Sequence, residues 1–93
     1  MNLSYSAEAI DDLDRLRQFI AQHNEVAANR ISLHLVSKIE QLADFPQLGT
    51  VIDHPDAPDS IRQLVIQKYI VRYLILTDSV VVLRGWHHRE ERK

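Results

Sequence analysis

The order of hydrophobic patterns along the chain predicts an α+β fold. Two stretches with apolar residues at helical spacing come first, and three β-branched runs separated by turn residues close the chain. Between them, from Asp44 to Ser60, lie all three prolines and one of the two glycines. The predicted order is therefore β-α-α-β-β-β, an antiparallel sheet with an N-terminal helical hairpin packed on one face. With 93 residues, 45% hydrophobic and 26% charged, the composition is that of one soluble globular domain spanning residues 1–93. A chain this short buries about 60 to 65% of its unfolded surface, so dependence on a partner is expected.

The elements follow in order. Asn2 to Tyr5 alternates as an edge strand does. Ser6 is an N-cap, and Glu8, Asp11 and Asp12 suit the positive first turns of a helix running from Ala7 to about Gln22. Its expected buried stripe is Ile10, Leu13, Leu16, Phe19 and Ile20, with Asp11, Asp12, Asp14, Arg15 and Arg17 outside it. Asn24 caps a second helix from Glu25 to about Ala43. Its apolar set (Val26, Ala27, Ile31, Leu35, Ile39 and Leu42, flanked by Leu33 and Val36) is wide enough to meet both the first helix and a sheet. The long connection from Asp44 to Ser60 has room for a short strand at Thr50 to Ile52. IRQLVIQ, YIVRYLIL and VVVLRGW then form a meander, with turns at Lys68 and at Thr77-Asp78-Ser79.

Charge is unevenly shared. Through Ser60 the chain has 4 basic and 10 acidic residues, and after it 7 basic and 3 acidic, so the halves carry −6 and +4. Such polarity points to one surface that meets an anionic partner, nucleic acid or an acidic protein segment. The absence of cysteine fits a reducing, cytoplasmic setting, and the acidic N-terminus is not that of a signal peptide. No apolar run approaches the length of a membrane span. No cofactor and no metal site is expected: His87 and His88 are adjacent on a strand and point apart. His54 with Asp53, Asp56 and Asp59 reads as turn chemistry.

The sequence resembles the RelE/ParE toxins of bacterial type II toxin-antitoxin modules, also called plasmid stabilisation proteins, along its whole length. The carriers are Ala9 to Leu16 (AIDDLDRL), Phe45-Pro46-x-x-Gly49, Arg62, Tyr69-Ile70-Val71-Arg72-Tyr73 and Val82-Leu83-Arg84-Gly85-Trp86-His87-His88-Arg89. The resemblance implies a toxin bound by a cognate antitoxin in a hetero-oligomer. It also implies one of two targets: the ribosome, where RelE-like members cleave mRNA, or DNA gyrase, which ParE-like members inhibit by binding.

Residue by residue, the ParE-like branch fits better. Arg89 matches a phosphate-binding arginine of the RelE-like branch, and His87 or His88 would supply acid-base chemistry if the protein is a nuclease. Against this, Ile70 stands where that branch has a catalytic arginine, Arg62 and Leu64 replace paired lysines, and no aromatic residue follows Arg89. The expected target contacts are Arg62, Arg84, Trp86, His87 and Arg89, and the expected antitoxin contacts are Arg72, Tyr73 and Arg84. The rival outside the toxin class is a protein-interaction domain whose basic sheet holds an acidic peptide.

Overall fold

A computed structural model describes residues 1–56 and 60–90. The elements are β1 (Asn2–Tyr5), α1 (Ala7–Ala21), α2 (Glu25–Glu40) with a 3₁₀ turn at Gln41–Ala43, β2 (Thr50–Val51), β3 (Ile61–Ile66), β4 (Tyr69–Ile75) and β5 (Ser79–His87). The helical caps are as expected: the Ser6 side chain accepts from the Ala9 amide, and Asn24 accepts from the Ala27 amide, both at 3.0 Å. Asp59, expected in the long connection, and residues 91–93 of the tail lie outside the described residues.

The five strands form one sheet in the order β1-β5-β4-β3-β2. The meander is antiparallel, but β1 runs parallel to β5, pairing Asn2 with Ser79 through Tyr5 with Val82. The sheet is therefore mixed, which corrects the expectation of a purely antiparallel one. The helical hairpin carries the chain to β2 at the far edge of the sheet, and the three reversals of the meander that follows bring β5 back alongside β1 in the same direction. β1 stops opposite Val82, whereas β5 continues to His87. Past that point β5 has no neighbouring strand on that side among the described residues, and α1 lies there instead.

The core forms between the helices and one sheet face. Leu16, Leu35, Ile39 and Leu42 meet Tyr69, Val71, Tyr73, Val80 and Val82. Tyr69 and Tyr73 share this face by the period-2 rule, and Ile70, Arg72 and Leu74 alternate with them. Two sequence expectations for α1 are corrected. Ile10 and Phe19 are exposed, and Asp12 is buried with Ala9 and Leu16. The inward face is thus rotated from the predicted stripe, because Asp12 has an ionic partner on β5, Arg84, that holds it inside. On α2 the inward face is narrower than predicted, with Val26, Leu33 and Val36 exposed.

Candidate functional site

The three arginines on the sheet are each tied into the protein. Arg62 Nη1 donates to the Gly49 carbonyl at 2.7 Å and more weakly to that of Gln47 at 3.4 Å. Its Nε is buried with no hydrogen-bond partner among the described residues. The same loop is held by Tyr73, whose hydroxyl donates to the Pro46 carbonyl (2.6 Å) and accepts from the Gly49 amide (2.8 Å). Gly49 is required here: a Cβ would lie 2.6 Å from the Gln63 carbonyl oxygen and 2.8 Å from the Tyr73 hydroxyl. The Phe45-Pro46-x-x-Gly49 motif thus packs a turn against β3 and β4. Tyr73 itself has no exposed surface, and burial pushes its phenol pKa up.

Arg72 lies over the Trp86 ring, 5.1 Å from its centroid, and donates to the Gln63 side-chain oxygen from Nη2 (2.8 Å) and Nε (3.1 Å) when that amide is turned to face it. Trp86 is buried. Arg84 stands directly opposite Arg72 in the β4–β5 register, a like-charge pair that would repel if left bare. Arg84 is instead neutralised by Asp12, with Nε and Nη2 donating to the two carboxylate oxygens at 2.7 and 3.1 Å. The Gly85 amide adds a third bond to Asp12 at 3.0 Å. Burial pushes the Asp12 carboxyl up. The hydrogen bonds from Arg84 and Gly85, with the charges of Arg84 and Arg15, outweigh burial and hold it below the usual carboxylate value.

The end of β5 is arranged differently. His87 closes the strand, and residues 88–90 turn back. The His88 amide donates to the Lys68 carbonyl at 2.8 Å, which joins this turn to the β3–β4 hairpin. Lys68, His88 and Arg89 are all exposed. Among the described residues, the Arg89 side chain has no hydrogen-bond or ion-pair partner. Beside the turn, Leu16, Phe19, Ile20 and Tyr69 line a cleft of about 560 Å³ together with His87 and Arg89. His87 packs edge-on against Tyr69, with ring centroids 5.3 Å apart. His87 and His88, expected to point apart, instead have ring centroids 4.5 Å apart, because the strand ends between them.

The two histidines differ in what their nitrogens can do. The Arg89 backbone N–H donates to His87 Nδ1 at 3.1 Å, so Nδ1 is unprotonated and the ring proton sits on Nε2. Burial, then the positive charges of His88, Arg89 and Lys68, lowers the His87 pKa and favours this neutral form. His88 Nδ1 faces the Lys68 carbonyl at 3.3 Å, an oxygen that only accepts, so Nδ1 carries the proton there and Nε2 is the acceptor nitrogen. Among the described residues, no three His, Asp or Glu side chains gather as metal ligands would.

Of the residues singled out in the sequence, the structure gathers His87, His88 and Arg89 at one end of the sheet. It places Arg62 with the Gly49 loop, and Arg72, Arg84 and Trp86 farther along β4 and β5. The sequence reading did not include Asp12, Arg15 and Glu90, which hold β5 and the tail turn, or Lys68 as a site residue. Local spacing carries no sign of them, since their partners lie 70 or more residues away or in another turn. The one available signal was AIDDLDRL, where two acids and an arginine at helical spacing can face a basic strand.

The sequence profile described as "ParE toxin of type II toxin-antitoxin system, parDE" matches residues 3–92, and the chain belongs to this toxin family. It is similar to two Caulobacter vibrioides proteins. It shares 31% identity over 80 residues with Toxin RelE2, covering 85% of each chain, and 29% over 87 residues with Toxin RelE1, covering 94% of this chain and 92% of that one. The fold resembles a chain of the chromosomal ParDE toxin-antitoxin system of P. aeruginosa, with TM-score 0.76, 16% identity and coverage of 94% and 95%. It also resembles a conserved hypothetical protein of Helicobacter pylori, with TM-score 0.61, 20% identity and coverage of 97% of both chains.

Proposed function

We propose that this single-domain chain is neutralised by a cognate antitoxin in a cytoplasmic hetero-oligomer and that, when free, it inhibits DNA gyrase by binding through the turn after β5. The match to the ParE family supports the gyrase reading. The observation that carries it is the state of His87. Its basic nitrogen already accepts the Arg89 amide, so in this arrangement the ring can donate from Nε2 but cannot take up a proton without breaking the turn. That suits a contact residue better than a general base. The exposed basic set of Lys68, His88 and Arg89 supplies charge for an acidic partner surface. Arg72 and Arg84 both bond to groups of the protein itself, and an antitoxin segment would meet Arg84 already neutralised by Asp12 and Arg72 still charged over Trp86.

His88 supports a second reading, a ribosome-dependent mRNA endonuclease. Its Nε2 stands beside Arg89 and Lys68, where an acid or base and a phosphate-holding cation are needed. Inducing the chain without its antitoxin separates the two. Gyrase inhibition predicts growth arrest with a DNA-damage response and filamentation. Prompt cleavage of polysome-bound mRNA would establish the endonuclease instead.

A further inference from the structure

No residue of α1 stands among the target contacts expected from the sequence, yet α1 holds the strand and turn that carry them. Where β1 ends, the outward backbone groups of β5 would be left as a bare edge. Side chains fill each place in turn. The N-cap residue Ser6 donates from Oγ to the Leu83 carbonyl at 2.9 Å. Asp12 accepts from the Gly85 amide, and Arg15 Nη2 reaches the Gly85 carbonyl at 3.4 Å. The next outward amide, that of His87, donates to Glu90 Oε1 at 3.1 Å. Glu90 Oε2 is in turn gripped by Arg15 Nη1 at 2.6 Å. A strand edge that lacks a neighbour is thus completed by a helix and by the tail folding back on itself.

We propose that Arg15 and Glu90 form a latch that fixes the His87–Glu90 turn, making Arg15 a positioning residue for the presentation of Arg89 to the target. This rests on the reading of the tail turn as the target contact. The other bonds of the turn are exposed or local: Glu90 N to the His87 carbonyl at 2.9 Å, Arg89 N to His87 Nδ1, and His88 N to the Lys68 carbonyl. Among the described residues, the Arg15–Glu90 pair is the hydrogen bond that ties the turn to a helix. Without it the side chain that accepts from the His87 amide is no longer anchored to α1, and Arg89 must be ordered at the moment of binding, which weakens association. The latch also lines the cleft beside α1, so its loss alters the surface next to Arg89.

The test compares Arg15→Ala, Glu90→Ala and Glu90→Gln as purified full-length protein. The readouts are inhibition of supercoiling by purified gyrase on relaxed plasmid, and the NMR signals of the His87 and Arg89 amides and the His87 imidazole. Both alanine variants should need about tenfold more protein for half inhibition, with Glu90→Gln in between because it keeps an acceptor for the His87 amide. The His87 and Arg89 signals should shift in the same order, those of the imidazole among them as Nδ1 is released. Glu90 lies in the turn, so Glu90→Ala decides the matter even where Arg15→Ala lowers stability. Alanine variants that fold and inhibit like the parent would overturn the latch, as would lost inhibition with unmoved His87 and Arg89 signals. If the parent chain leaves gyrase untouched, the gyrase reading fails by itself, and the His87 signals still judge the latch.

Discussion

Arg62, Arg72 and Arg84 on the sheet and Lys68, His88 and Arg89 at its end belong to the same basic half of the chain, but they are used in opposite ways. Each sheet arginine is bonded internally, to the Gly49 loop, to Trp86 and Gln63, or to Asp12. At the end of the sheet Lys68, His88 and Arg89 are exposed, and none of them has an acidic partner among the described residues. Positive charge in a sequence is therefore not the same as positive charge offered to a partner. Of the net +4 carried after Ser60, the part that can meet a target is concentrated where β5 leaves the sheet.

The largest effect is expected from Asp12→Ala, which removes the carboxylate that neutralises Arg84 and accepts from Gly85. The cost to stability should be about 2 kcal/mol, below the usual figure for breaking a buried pair because the Arg84 left behind keeps access to water. Denaturant melts would show it. Acidification should produce a related loss in two stages. His87 has a lowered pKa in the fold, so the unfolded chain takes up a proton first as the pH drops below about 6.5, and stability starts to decline there. Asp12 is also lowered, so its contribution is complete above the ordinary Asp value of about 3.9 and is lost as pH falls below it. Melting temperature against pH, with Asp12→Ala lacking the lower stage, checks both.

A smaller gain is expected at the β3–β4 hairpin. Gln67 occupies φ 55, a left-handed conformation disfavoured for a residue with a Cβ. Gln67→Gly should raise stability by about 0.5 kcal/mol, the relief of that strain partly offset by the freer unfolded chain. The smallest effect on stability, under about 0.5 kcal/mol, belongs to Arg89→Ala at the exposed end. That same variant should show the largest loss of toxicity. Arg62→Ala should behave in reverse, destabilising the Gly49 loop more than it reduces contact with the target.

Much of the fold was legible in the chain because its signals are local. Ser6 and Asn24 announce helix starts, and β-branched runs with a Thr77-Asp78-Ser79 turn announce β4 and β5. What could not be read depends on distant partners. A four-residue strand such as β1 has no feature that says it will lie parallel to β5. Asp12 looks like a solvent residue until Arg84, 72 residues later, makes its burial favourable. The rotation of α1 that exposes Ile10 and Phe19 follows from that one ionic contact. In the site, His87, His88 and Arg89 were visible as a basic tail. The Arg15–Glu90 contact was not, because it joins residues 75 positions apart.

The central claim is that the turn after β5 acts by contact, without proton transfer. The most direct measurement is plasmid supercoiling by purified gyrase, titrated with the parent chain, with Arg89→Ala and with the double variant His87→Gln, His88→Gln. The account predicts that the parent and the double variant inhibit alike, while Arg89→Ala is markedly weaker. It would be contradicted by a parent chain that leaves gyrase active yet cleaves ribosome-bound mRNA, with the double variant slowed by the roughly 10²- to 10⁴-fold typical of losing acid-base groups.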